Sequence, residues 1–271
     1  MADIDVTHIK SYVINLKKNI EKYTFLQKNL ATINIRPERF NGIYGKDLSN
    51  EYIDSVTYPS VQFTIDHGRT VDNNIGTLGG IGCYLSHVNL WKKIGDSSED
   101  VFLILEDDAA PSIYSADEIN RFLNSINKAD PDWDAIYLGW AKPFYSSNND
   151  IKISNDIYKI NEITFQTHAY LINKKGAKKL LEKAFPIVDQ VDSYMSFMAM
   201  YRNFRSYRGN VSYIVQNNVE GSDIQTDFSI KIYINQLSNY SIKICSIVIM
   251  IVIILLLFLC VYFYKKSRSR E

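Results

Sequence analysis

Three consecutive carboxylates, Glu106, Asp107 and Asp108, follow the unbroken apolar run Phe102, Leu103, Ile104 and Leu105. Such a run reads as a strand buried on both faces, here with acids at its carboxyl end. Held close without a counter-charge, these side chains repel one another and resist ionisation. A divalent cation reverses this, because it offsets the repulsion and lowers their pKa values. Mg2+ and Mn2+ are commonly held by one or two carboxylates, with water and substrate phosphates filling the remaining positions. The stretch therefore points to a metal-bridged nucleotide-diphosphate site. It is also compatible with an acidic loop that caps the next helix, since Asp is an ordinary N-cap residue. The pattern alone does not separate a sugar transferase from a metal-dependent phosphatase or nuclease.

The elements around the acids alternate in type. Residues 8–16 (HIKSYVINL) predict a first strand, and Ile20, Tyr23, Leu26, Leu30 and Ile33 repeat at helical spacing before Pro37. Residues 41–74 read as a long, polar, irregular connection. Gly79, Gly80 and Gly82 open a second helix that carries Ile81, Leu85, Val88 and Trp91 on one face. After the strand 101–105, a helix is predicted near 117–127, strands at 135–139 and 169–173, helices over 174–185 and 191–201, and a last strand at 211–215. This alternation predicts an α/β fold with a mostly parallel sheet flanked by helices on both faces. Ligands in such sheets lie beyond the carboxyl ends of the strands, where the three acids fall.

Composition narrows the class. Hydrophobic residues make up 46% and charged residues 22% of 271, which excludes wholesale disorder. The 30 basic and 30 acidic side chains cancel, which argues against a nucleic-acid partner. Cys83 is the one cysteine outside the apolar C-terminal segment, a usage that suits a reducing compartment. That segment, 244–264 (ICSIVIMIVIILLLFLCVYFY), carries no charge and is long enough to cross a bilayer as a helix. Tyr262 and Tyr264 sit near one end, and KKSRSR follows. The expected organisation is a domain over 1–226, a linker over 227–243, a transmembrane helix over 244–264 and a basic tail over 265–271. No N-terminal signal sequence is apparent, so the default is a single-pass C-terminal anchor with the domain facing the cytosol; the positive-inside rule pulls the other way.

GGIGCYLSHVNLWKKI (79–94), FLILEDDA (102–109), PDWDAIYLGW (131–140), THAYLINKKGAKKLL (167–181) and VDSYM (191–195) occur in this order. With VINLKKNIEKY near the start, FNGIYGKDL at 40–48 and SDIQ at 222–225, they closely resemble glycosyltransferase family 25, which includes lipooligosaccharide and procollagen galactosyltransferases. The resemblance covers nearly all of 8–226. It implies a GT-A-like, Rossmann-type fold, a UDP-sugar donor, Mn2+ or Mg2+, and transfer of a hexose, galactose or glucose, to a glycan, lipid or protein hydroxyl.

The same resemblance assigns roles. Asp108, with Glu106 and His168, is expected to hold the metal, Glu106 also through the donor ribose and His168 also through the diphosphate, and Asp107 is the intermediate, donor-binding acid of the triplet. Asn15, Leu16 and Lys17 at the end of the first strand are expected to line the nucleotide pocket. Ser86 and His87 either hydrogen-bond the donor or fasten helix to sheet, and His168 is otherwise a strand-edge residue. Inverting transfer needs a general base opposite the departing nucleotide. Asp192 and Asp189 are the candidates, with helix N-capping as their alternative role; Asp223 in SDIQ is a further possibility. Many family members carry Glu where this chain has Gly80, and an Arg-rich stretch where it has Lys17, Lys18 and Lys22. The competing reading is a catalytically inactive, membrane-anchored binding or adhesion module that keeps the fold.

Overall fold

The computed structural model describes residues 3–69, 71–143, 146–217 and 248–251. Alternate residues of strand β3, Val101–Glu106, divide the core in two. Phe102 and Ile104 enter one apolar cluster and Leu103 and Leu105 the other, and all four are fully buried. A strand with one apolar cluster on each face needs the unbroken hydrophobic run that its sequence shows.

β3 lies near the middle of an eight-stranded sheet with order β2-β1-β3-β8-β5-β9-β7-β6. β1 (Lys10–Asn15) pairs in parallel with β2 (Glu38–Asn41) and with β3. β8 (Ala169–Asn173) runs antiparallel to both β3 and β5 (Ala135–Tyr137). β9 (Ser206–Gly209) is parallel to β5, while β7 (Ile157–Lys159) is antiparallel to β9 and to β6 (Ile151–Lys152). The sheet is thus mixed, with only β8 and β7 reversed.

Helices cover both faces. Leu26 and Leu30 of α1 (Ile20–Leu30) and Ile119, Phe122, Leu123 and Ile126 of α5 (Ala116–Ala129) pack on the Leu103 side. Ser115 starts α5 with a reciprocal capping box to Glu118. On the Phe102 side lie α4 (Leu78–Gly95), α6 (Lys174–Leu181) and α7 (Val191–Tyr201), the last with the bounds the sequence predicts.

Besides β2, β6, β7 and β9, strands that the sequence does not predict, two regions differ from expectation. The connection 41–74 is not irregular: it holds α2 (Asn50–Val56), capped by Ser49 Oγ accepting from Tyr52 N at 3.2 Å, and α3 (Pro59–His67), which starts at proline. Each helix is short and buries only two residues or fewer, Ile53 in α2 and Val61 and Thr64 in α3, so its periodicity is hidden among polar residues. The strand expected at 211–215 is β10 (Ile214–Gln216), which leaves the main sheet and pairs antiparallel with β4 (Ala109–Pro111), directly after the acidic triplet.

The chain divides into two units, Met1–Thr226 and Asp227–Glu271. Among the described residues no helix is long and apolar enough to cross a membrane. The expected linker 227–243, span 244–264 and tail 265–271 lie outside the described residues, apart from 248–251, which are helical.

Candidate active site

Reversal of β8 is what assembles the site. Because it runs against β3, its first residues lie beside the carboxyl end of β3, and Glu106 N donates to His168 O at 2.9 Å. Thr167, one residue earlier, donates from Oγ1 to Glu106 Oε1 at 2.7 Å. On the other side, β1 and β3 pair Ile14 with Glu106, which brings Asn15 to the triplet. Buried Asn15 donates from Nδ2 to Asp107 Oδ2 at 2.7 Å and to Asn19 O at 2.8 Å. Arg39 of β2 fixes that amide, donating from Nε to Asn15 Oδ1 at 2.7 Å and from its guanidinium to Leu16 O at 3.0 Å. Lys17 follows, exposed, at the same edge.

Helix α4 forms the adjoining wall. Gly82 faces the 43–45 loop so closely that a Cβ would lie 2.5 Å from Ile43 O and 2.7 Å from Gly45 N. Ser86 Oγ accepts from Ile43 N at 2.8 Å and donates to Gly82 O at 2.6 Å, so it fastens helix to loop. One residue on, His87 is fully buried and reaches the acids. Trp91 Nε1 can only donate, and does so to the Tyr170 hydroxyl at 2.9 Å. That hydroxyl donates in turn to His87 Nδ1 at 2.9 Å, which leaves Nε2–H facing Glu106 Oε1 at 3.3 Å. Burial opposes ionisation of Glu106, yet the His87 and Thr167 hydrogen bonds hold its carboxyl below the ordinary range.

Asp108 is in the opposite condition. Burial, followed by the negative charge of Glu106, pushes its carboxyl up to about 7. Gln216 Nε2 of β10 donates to Oδ2 at 2.7 Å, whereas the buried Oδ1 has no hydrogen-bond partner among the described residues. His168 is similar: Nε2 donates to Ile214 O at 3.0 Å, buried Nδ1 has no partner among the described residues, and burial lowers its pKa. Gly139 makes that placement possible, since a Cβ there would lie 2.0 Å from His168 Nε2.

A chain of amides links Asp108 to Asp192. Gln216 Oε1 accepts from Gln166 Nε2 at 2.9 Å, and the backbone N–H of Gln166 donates to Asp192 Oδ2 at 3.0 Å. Gln166 does so from a left-handed backbone, φ 74°. Asp192 Oδ1 also accepts from Ser193 N at 2.7 Å. Burial raises the Asp192 carboxyl against these hydrogen bonds, and the Glu106 charge adds to the rise. Asp189 lies before α7, accepting from Asn74 Nδ2 at 3.3 Å, and is also raised by burial.

The structure thus gathers Asn15, His87, Glu106, Asp107, Asp108, His168 and Asp192 around the carboxyl ends of β1 and β3. Ser86 and Asp189 are held by local partners at the margin. Among the described residues, one group of three His, Cys, Asp or Glu ligand atoms lies within 4.8 Å, and it is Cys83, His87 and Glu106 rather than Asp108, Glu106 and His168. Arg39, Thr167, Gln166 and Gln216 escape the sequence reading, because none of them belongs to a catalytic residue pattern. Cys83 carries a legible signal, four residues before His87 and so on the same helical face.

The sequence profile of Glycosyltransferase family 25 (LPS biosynthesis protein) matches residues 8–195, and the chain belongs to this family. Procollagen galactosyltransferase 1-A of Xenopus laevis is 29% identical over 191 residues, which cover 69% of this chain and 30% of that protein. A glycosyltransferase 25 family member of Aedes aegypti is 28% identical over 194 residues, covering 71% and 31%. The chain therefore spans less than a third of the length of these relatives. Among solved structures, the apo-form glycosyltransferase GlyE of Streptococcus pneumoniae TIGR4 is similar at TM-score 0.35 and 15% identity, over 73% of this chain and 45% of that one.

Proposed function

We propose that this chain is a metal-dependent hexosyltransferase that moves galactose or glucose from a UDP-sugar to a hydroxyl of a glycan, lipid or protein, with inversion. Family membership supports the reaction class, and relatives named procollagen galactosyltransferases support the hexose. The observation that carries the reading is Asp108, a half-buried residue whose buried Oδ1 has no hydrogen-bond partner among the described residues and whose carboxyl is pushed up to about 7. A carboxylate so placed is unfavourable alone and becomes favourable beside a cation. Asp108 Oδ1 and His168 Nδ1 have the oxygen and nitrogen donors that fit Mn2+, and the oxygen alone fits Mg2+. Bound there, the ion would supply Lewis-acid neutralisation of the leaving diphosphate.

The chain's own residues supply the rest. Asn15, locked by Arg39, holds Asp107 at the donor edge, while Leu16 and Lys17 extend that edge toward the nucleotide. Asp192, raised by burial, accepts the proton from the attacking hydroxyl. The Gln166–Gln216 amides keep its position coupled to that of Asp108. Anchoring by 244–264, with the domain on the cytosolic side, belongs to the same proposal and rests on the apolar sequence. A panel of nucleotide sugars assayed with Mn2+ tests the reaction; release of nucleotide from UDP-hexoses supports it. Absence of turnover together with absence of UDP or Mn2+ binding by calorimetry would replace it with the inactive binding module. Protease protection in vesicles tests the orientation.

A further inference from the structure

We propose that Cys83, His87 and Glu106 form a binding site for a thiophilic divalent cation, Zn2+ by preference, separate from the oxygen-rich position at Asp108. The three side chains offer one sulfur, one imidazole nitrogen and one carboxylate oxygen, all within 4.8 Å of one another. Sulfur and nitrogen donors select Zn2+ over Mg2+ or Mn2+, which favour oxygen. Two nitrogen or oxygen ligands about 2.0–2.1 Å from a tetrahedral Zn2+ stand roughly 3.3 Å apart. His87 Nε2 and Glu106 Oε1 stand 3.3 Å apart already. The thiolate needs to close by at most about 1.2 Å to complete a three-ligand face.

The surroundings orient the ligands as metal sites require. His87 Nδ1 is held by Tyr170, itself held by Trp91, which aims Nε2 at the cluster. Thr167 Oγ1 fixes Glu106 from the other side. Cys83 and His87 are four residues apart on α4 and share its face. Burial, and then the negative charges of Glu106, Asp192, Asp108 and Asp107, push the Cys83 thiol well above its ordinary range, so its thiolate is favoured only beside a cation. On binding, the thiol proton passes to solvent. The imidazole proton shifts from Nε2 to Nδ1 and donates to the Tyr170 oxygen, whose own O–H proton rotates away from Nδ1. Three protein ligands leave a fourth position for water. The proposal rests on no assumption about sugar transfer, so the two can fail separately.

Titration of the full chain with Co2+, followed by absorption spectroscopy, tests it. One equivalent is expected to produce a thiolate-to-cobalt charge-transfer band with tetrahedral visible absorption, and Zn2+ is expected to abolish both. The band should vanish in Cys83→Ser and persist in Asp108→Asn. In the unaltered chain, Zn2+ should slow alkylation of Cys83, read by peptide mass spectrometry, by about tenfold or more. No thiolate band, a band retained in Cys83→Ser because it arises from Cys245 or Cys260, or unchanged alkylation would each overturn the assignment.

Discussion

Gln216 Nε2 donates a 2.7 Å hydrogen bond to Asp108 Oδ2, yet the other oxygen, Oδ1, is buried and has no partner among the described residues. Half-satisfied in this way, Asp108 is costly as an anion in the folded protein. Its pKa near 7 reports that cost, with burial the largest cause.

A pH dependence follows. The ordinary value is 3.8 and the folded value about 7, so across that range the folded chain keeps a proton that the unfolded chain has lost. The contribution of Asp108 to the stability of the metal-free protein therefore falls as pH rises from about 4 to about 7. Urea denaturation at several pH values should show this slope, and Asp108→Asn should flatten it. An excess of Mn2+ should restore stability at pH 7 and above.

Asn15 links three elements through one amide. Asn15→Ala removes the amide that Arg39 Nε and Asp107 Oδ2 share in a part-buried site. The expected loss is about 1–3 kcal/mol, measured by chemical denaturation.

Gly139 admits no side chain. A Cβ would meet His168 Nε2 at 2.0 Å and Ile214 O at 2.4 Å, both fixed by their mutual hydrogen bond. Gly139→Ala should cost about 1–3 kcal/mol by overpacking, seen as a lower melting temperature. Since His168 must move, Mn2+ affinity should fall with it.

Asp192→Asn keeps the shape of the side chain and removes the base. Transfer to acceptor should drop on the order of 10²–10⁴-fold while UDP binding by calorimetry stays within about twofold. Equal losses in Asp189→Asn would move the base to Asp189.

How much of this the sequence reveals depends on the kind of signal. β3, α4, α5 and α7 are legible because each buries a long apolar run or a full helical stripe, as at Ile119, Phe122, Leu123 and Ile126. β9 is not, because SYRG buries a serine, a tyrosine and Arg208, whose charge is matched by Asp150 Oδ2 at 2.7 Å in the fold. The triplet and His87 are readable from residue type and family resemblance. Strand direction is not, and reversal of β8 decides that Thr167 and His168 meet Glu106. Gln166 and Gln216 lie 50 residues apart and become neighbours only when β10 pairs with β4.

Asp108 as the holder of the metal for sugar transfer is put most directly to the test by UDP release from UDP-hexoses by the full chain with Mn2+. The rate should fall on the order of 10²-fold or more after chelation and in Asp108→Ala. A rate unchanged by chelation, or unchanged in Asp108→Ala, would contradict it.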